Sequence, residues 1–170
     1  MTVSLAQIGN GPREEFVAAL GGVFEHSPWV AEEAWGARPF ADVADLHAKM
    51  AAAVRAAPHI RQLALLRAHP ELAGKAMLAS TLTADSTSEQ TRSGLTNCTA
   101  AELTTLQELN AAYNKKFGWP FIAAVKQMDR SGIIALFKKR VDANAADEFE
   151  QCLANIEKIT RWRLEDQVGP

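Results

Sequence analysis

Apolar residues recur at intervals of three and four along most of the chain, the spacing that places them on one face of an α-helix. Runs of alternating β-branched residues, which are typical of strands, are almost absent. The pattern predicts an all-α protein. We expect a single domain over residues 1–170, folded as a bundle of about seven to nine helices.

Local start and stop signals divide the first part of the chain into four helices. Pro12 and Pro28 suit the first position of a helix, and Asp42 suits the cap of a third helix that Pro58 ends. The first helix is expected to bury an apolar face made of Phe16, Val17, Leu20, Val23 and Phe24. The fourth helix is expected to bury Ile60, Leu63 and Leu66.

His69 is the first candidate for chemistry, because it stands where the fourth helix has to stop. It directly precedes Pro70, whose ring disfavours helical backbone at the residue before it. The partial negative charge at the end of a helix favours a protonated imidazole, which suits a proton donor near neutral pH. The alternative is that His69 only caps the last carbonyl groups of the helix.

Residues 74–97 are rich in Ser, Thr, Asp and Gln and contain few large apolar side chains. This composition predicts a polar loop with at most one short helix, and long loops in compact domains are often functional. Ser86 and Glu89 have the spacing of a capping box at a helix start. A capping role and a binding role are compatible, since the carboxylate would stand beside unpaired backbone amides.

Two further helix starts are predicted in the second half of the chain. Thr99 and Glu102 form a second capping box, and Pro120 suits the first position of the next helix. A helix starting at Pro120 would leave backbone amides available to a ligand; they belong to Phe121, Ile122 and Ala123. A short helix near 133–141 and a final one from about 144 to 167 complete the prediction.

The final helix carries a charge where its apolar stripe predicts a buried residue. The stripe steps by three and four residues and continues onto Arg163; its earlier members are Phe149, Cys152, Ile156 and Ile159. An inward guanidinium needs a carboxylate, carbonyl groups or a ligand. The alternatives for Arg163 are therefore pairing with a structural acid, snorkelling at the end of the helix, and binding a substrate. Arg161 lies off the stripe, where Glu157 or Glu165 can form a surface ion pair with it.

Composition and motif spacing disfavour several classes of function. The net charge of −2 gives no reason to bind nucleic acid or an anionic membrane, and a small-molecule ligand or a protein partner is expected instead. The first residues lack the features of a secretory signal, so we expect a cytoplasmic protein with Cys98 and Cys152 reduced and Cys152 in the core. Phosphate-binding glycine motifs and zinc-ligand spacings are also missing.

Five short motifs occur in order along the chain. They are H-P-E-L-A-G-K at 69–75, S-x-x-E-Q at 86–90, S-G-L at 93–95, F-G-W-P-F at 117–121, and I-x-x-I-x-x-x-R-L ending at 164. Together they resemble the 2-oxo-4-hydroxy-4-carboxy-5-ureidoimidazoline (OHCU) decarboxylase family over most of the chain. The usual family motif has Asp where this chain has Glu71, which keeps the carboxylate on a side chain one methylene longer.

The resemblance implies an all-helical homodimer without cofactor or metal, which converts OHCU into (S)-allantoin in urate breakdown. It also implies that His69 is the catalytic proton donor and Glu89 its acid/base partner. It further implies that Arg163 completes this polar centre of three residues and anchors the substrate. The implied substrate contacts are Pro70, Ser86, Thr87, Ser88, Glu89, Gln90, Phe121, Ile122, Ala123, Ala124, Val125 and Arg163. The alternative hypotheses are a non-catalytic helical module that binds a ureide or purine, and a metal-dependent lyase or hydrolase.

Overall fold

The computed structural model describes residues 2–170, and most of this backbone is helical. Ten α-helices are present in the described chain, together with one turn of 3₁₀ helix at Leu95–Asn97. The α-helices are α1 (Leu5–Asn10), α2 (Arg13–Leu20), α3 (Trp29–Trp35), α4 (Val43–Ala56), α5 (His59–Ala68), α6 (Lys75–Leu78), α7 (Ala84–Arg92), α8 (Ala100–Phe117), α9 (Arg130–Arg140) and α10 (Ala145–Gln167). The all-α prediction is confirmed.

The chain divides into two compact units, with one boundary directly after α5 and the other inside α10. The first unit contains the residues up to Ala68 and those of Glu157–Pro170, and the second unit is His69–Ile156. In the first unit, β1 (Val3–Ser4) and β2 (Val168–Gly169) form a minimal parallel pair, with Val3 opposite Val168. None of the helices within residues 2–170 combines the length and apolar character needed to cross a bilayer.

The helices of the first unit bury most of the apolar positions that their spacing predicts. Asp42 caps α4 by accepting a hydrogen bond from the amide of Asp45 at 2.7 Å, and α4 buries Leu46, Met50 and Val54. α2 ends at Leu20, so Val23 and Phe24 are buried in the connection after the helix and not on its face. α1 was not anticipated.

The predicted burial of Ile60 is wrong, because this side chain is 78% exposed. The buried residues of α5 are Leu65 and Leu66, in the half of the helix nearer its C-terminus. A residue at the start of a short helix can share the periodicity of the core positions and still lie beyond the core. The predicted stop of α5 is confirmed, since the helix ends at Ala68.

The predicted polar loop at 74–97 is wrong, because this segment contains α6, α7 and the 3₁₀ turn. The cap of α7 is Thr83, whose side chain accepts a hydrogen bond from the amide of Ser86 at 3.3 Å, so Ser86 lies inside the helix and not at its cap. The buried residues of α7 are Ser86 and Gln90. A helix that buries polar side chains has no apolar periodicity by which a sequence could reveal it.

The capping box of Thr99 and Glu102 at the start of α8 is confirmed. The predicted helix at Pro120 is wrong, since residues 120–125 are irregular and the next helix begins at Arg130. Side chains from elsewhere in the second unit form hydrogen bonds with backbone groups of this segment. These bonds replace those that a helix would provide. The buried stripe of α10 is confirmed, as is the boundary near Gln167.

Candidate active site

His69 follows directly after the last residue of α5, and its side chain is 7% exposed. The next residues turn sharply, because Ala73 adopts a left-handed φ of 51° although it carries a side chain and is fully buried. Such a conformation is uncommon outside glycine and persists only where surrounding contacts hold it. The turn of residues 69–74 therefore depends on its neighbours in the second unit.

Two buried amide side chains hold this turn. The Oε1 atom of Gln90 accepts a hydrogen bond from the amide of Ala73 at 2.9 Å, and its Nε2 atom donates to the carbonyl of Glu71 at 3.4 Å. Asn110 on α8 donates from Nδ2 to the carbonyl of Leu72 at 2.9 Å. Three consecutive residues after Pro70 thus have a backbone group bound by a side chain, which fixes the backbone that follows His69.

Glu71 has a structural partner in the second unit. Asn114 on α8 donates from Nδ2 to the Oε1 atom of Glu71 at 2.5 Å. Gly74 lies against the same side chain, since a Cβ atom added there would stand 2.6 Å from the Cβ atom of Glu71. The carboxylate of Glu71, which stands where the family motif usually has Asp, is therefore hydrogen-bonded to α8.

The predicted substrate run on α7 divides between two faces of the helix. Ser86 and Gln90 are buried, Glu89 is half-buried, and Thr87 and Ser88 are exposed. Through Gln90 the buried face contacts the turn that follows His69. The structure thus brings α7 beside that turn, and substrate contact by the five residues stays a prediction.

The predicted substrate segment at 121–125 is mostly buried, with only Ala124 partly exposed. Arg140 donates from Nη1 to the carbonyl of Ile122 at 2.6 Å, and Asn155 accepts a hydrogen bond from the amide of Ala124 at 3.0 Å. Sequence reasoning missed both side chains. One signal was available, because Arg140 continues the helical stripe of Ile133 and Phe137 inward, as Arg163 does in α10.

A buried polar network surrounds the guanidinium of Arg140. Its Nε and Nη2 atoms donate to the Oε1 atom of Glu148 at 2.8 and 2.5 Å, and the hydroxyl of Tyr113 donates to the same oxygen at 2.6 Å. Burial raises the pKa of the Tyr113 hydroxyl and that of the Cys152 thiol, so both stay protonated at neutral pH. The prediction that Cys152 is a core residue is confirmed.

Arg163 belongs to the first unit, and its side chain is 4% exposed, which confirms the predicted inward charge. Its Nη1 atom donates to the Oε2 atom of Glu25 at 2.9 Å and to the carbonyl of Val23 at 3.1 Å. The structural acid considered as one alternative is therefore present, and a role in substrate binding stays a prediction. Arg161 forms the predicted surface pair with Glu165, at 2.6 Å.

Within residues 2–170, no group of three or more His, Cys, Asp or Glu side chains has an arrangement that would hold a metal ion. Neither cysteine forms a disulfide.

Comparison with known proteins identifies the chain. A family model described as OHCU decarboxylase matches residues 10–165. The chain is 37% identical to the 2-oxo-4-hydroxy-4-carboxy-5-ureidoimidazoline decarboxylase of Haloferax volcanii, covering 98% of this chain and 97% of the relative. It is 36% identical to the protein of the same name from Mus musculus, covering 91% of this chain and 87% of that one.

Among solved structures, the crystal structure of an (S)-allantoin synthase matches with a TM-score of 0.78 and 29% identity. That match covers 98% of this chain and 54% of the other, so the chain spans about half of the solved protein. The helical fold and these relatives define a lyase of uric acid degradation. The chain belongs to the OHCU decarboxylase family.

Proposed function

We propose that this chain decarboxylates OHCU to (S)-allantoin, with His69 as the residue that delivers the proton. Membership of the OHCU decarboxylase family supports the reaction. The observation that carries the role of His69 is its place in the fold. It is a buried imidazole at the end of α5, followed by a turn that Gln90 and Asn110 hold by hydrogen bonds.

The chemistry requires one bond to break and one to form. The bond between the ring carbon and the carboxylate breaks, carbon dioxide leaves, and the electron pair stays in the conjugated ring of the substrate. A proton from the imidazolium of His69 then forms the new C–H bond on one face of the ring, so the step involves no net oxidation or reduction. Positioned proton transfer of this kind contributes about 10² to 10⁴ in rate.

The other proposed roles match charged side chains of the protein to polar groups of the substrate. Arg163 would anchor the carboxylate or the developing anion, for which a well-aimed donor is worth roughly 3 to 4 kcal/mol. Glu89 would steady the imidazolium or hold the substrate hydroxyl. The proposed contacts from the second unit are Pro70, Ser86, Thr87, Ser88, Glu89, Gln90, Phe121, Ile122, Ala123, Ala124 and Val125.

We also propose that the chain functions as a single domain, forms a homodimer and works in the cytoplasm. The family resemblance supports the dimer. The two free thiols, Cys98 and Cys152, support a reducing compartment, where cysteines persist unpaired. Sedimentation of the purified chain measures its oligomeric state, and a mass near that of a monomer at micromolar concentration would rule out a stable dimer.

An optical assay tests the proposed reaction directly. OHCU is generated in situ from urate, and circular dichroism follows the appearance of (S)-allantoin. Purified chain should raise the signal faster than spontaneous decay does, and it should yield a single enantiomer. A rate and a racemic product equal to those of the enzyme-free sample would reject the proposal.

A further inference from the structure

Residues 121–125 are irregular, and side chains of two other helices bind their backbone. Arg140, the last residue of α9, donates to the Ile122 carbonyl at 2.6 Å, and Asn155 on α10 accepts from the Ala124 amide at 3.0 Å. In a helix or strand, backbone amides and carbonyls form hydrogen bonds with one another. In this irregular segment, the two side chains supply those hydrogen bonds instead. We propose that Arg140 and Asn155 are positioning residues that set the substrate-binding conformation of residues 121–125, an inference that rests on the proposed function.

The guanidinium of Arg140 has little freedom to move. The side chains of Arg140 and Glu148 are 7% and 0% exposed, and two nitrogens of the guanidinium point at one carboxylate oxygen. The third nitrogen is then directed at the carbonyl of Ile122. Only a planar guanidinium can make both sets of bonds at once, since a lysine ammonium is a single point of charge on a flexible stem.

The same guanidinium also restrains the first residue of the segment. Its central carbon lies 4.4 Å from the centroid of the Phe121 ring, and that ring stacks on Phe137 at 3.9 Å. Phe121 is thus held through its ring, Ile122 through its carbonyl and Ala124 through its amide. Loss of these restraints should therefore displace the segment and weaken substrate binding by a measurable amount.

Arg130 offers a matched control at the opposite end of α9. It pairs with Glu102 at 3.1 Å and donates to the carbonyl of Gly94 at 3.3 Å, so it also links a carboxylate to a backbone carbonyl. Neither of these two partners belongs to residues 121–125. Replacing each arginine by lysine therefore removes the same kind of bond at two sites, and only one of the sites binds the segment.

The experiment compares Arg140→Lys with Arg130→Lys in the full chain by hydrogen exchange and by kinetics. Peptides that cover residues 121–125 should exchange roughly tenfold faster in Arg140→Lys and remain near the wild-type rate in Arg130→Lys. With OHCU, KM should rise about tenfold in Arg140→Lys while kcat stays within about threefold, because a displaced binding segment weakens ground state and transition state alike. The pH dependence of kcat should keep its midpoint.

Loss of folded enzyme gives a different result, namely a lower kcat at unchanged KM, and this outcome would overturn the inference. Equal exchange and equal KM in the two lysine variants would overturn it as well. If the wild-type chain does not accelerate OHCU decay, the proposed function fails. The exchange comparison then still decides whether Arg140 orders the segment.

Asn155 provides a second test in case Arg140→Lys does not fold. Asn155→Ala removes the acceptor for the Ala124 amide and should raise KM severalfold. Asn155→Asp keeps an acceptor oxygen at that position and should restore KM to near the wild-type value. An unchanged KM in Asn155→Ala, or an equal rise in both variants, would count against the inference.

Discussion

The Oε1 atom of Gln90 on α7 accepts a hydrogen bond from the amide of Ala73 at 2.9 Å, although 17 positions separate the two residues. Gln90 is 2% exposed and Ala73 is fully buried. Because Ala73 lies in the turn after His69, this bond ties the candidate proton donor to a helix that buries only polar residues. The conformation of the turn therefore depends on a side-chain amide and not on a regular backbone ladder.

Replacing Gln90 by leucine should weaken both stability and activity. The variant leaves the amide of Ala73 buried without its acceptor, a change that costs about 1 to 3 kcal/mol. The turn should then loosen, so that kcat/KM for OHCU falls. Chemical denaturation measures the first effect and the optical assay the second. Thr91→Ala alters an exposed residue of the same helix and should change neither; equal losses in both variants would argue against the role of Gln90.

Replacing His69 by asparagine should abolish stereospecific product formation without unfolding the chain. The expected fall in kcat is about 10² to 10⁴, the usual contribution of a positioned proton donor. Far-ultraviolet circular dichroism checks the fold, and the allantoin signal checks activity. His26→Asn is the matched control, since His26 is exposed and its φ of 46° is one that asparagine tolerates. Near wild-type turnover in His69→Asn would exclude a catalytic role.

Replacing Glu148 by leucine should cost about 3 to 5 kcal/mol of unfolding free energy, because it leaves the buried guanidinium of Arg140 without its carboxylate. Combining it with Arg140→Met should recover part of the loss. Glu165→Ala breaks the partly exposed pair with Arg161 and should cost about 1 kcal/mol or less. Urea unfolding of the variants provides the comparison, and similar costs at the two sites would contradict it.

His47 should make stability depend on pH near neutrality. Burial lowers the pKa of His47 below its usual value of 6.5, and the charge of Arg161 acts in the same direction against opposing effects of Glu157 and Glu165. Between the two pKa values the unfolded chain binds more protons than the folded one, so the stabilisation is complete above 6.5 and is lost as pH falls through the folded pKa.

The expected result is a smaller unfolding free energy at pH 5.5 than at pH 7.5 in wild type, and a flatter profile in His47→Gln. Glutamine keeps a polar side chain that can bond the hydroxyl of Thr160, which lies 3.1 Å from Nε2 of His47. Identical slopes in wild type and His47→Gln would refute the assignment.

The sequence alone predicts most of the helices, because apolar spacing and local caps act within a few residues of one another. Asp42 at the start of α4, the capping box of Thr99 and Glu102, and the stop before Pro70 are all determined locally. The same periodicity placed Arg163 inside the protein, since helical geometry alone determines which residues share a face. Five short motifs in order were sufficient to indicate the family.

Tertiary structure decided the rest. Apolar periodicity does not reveal α7, because the buried residues of this helix are polar. The partner of Gln90 is Ala73, which lies 17 positions away in the sequence. Residues 121–125 remain irregular because Arg140 and Asn155 bind their backbone groups, so a proline that suits a helix start does not produce one. The carboxylate that meets Arg163 comes from Glu25, near the opposite end of the chain. Local spacing determines which side chains turn inward, whereas their partners become known only when distant segments pack together.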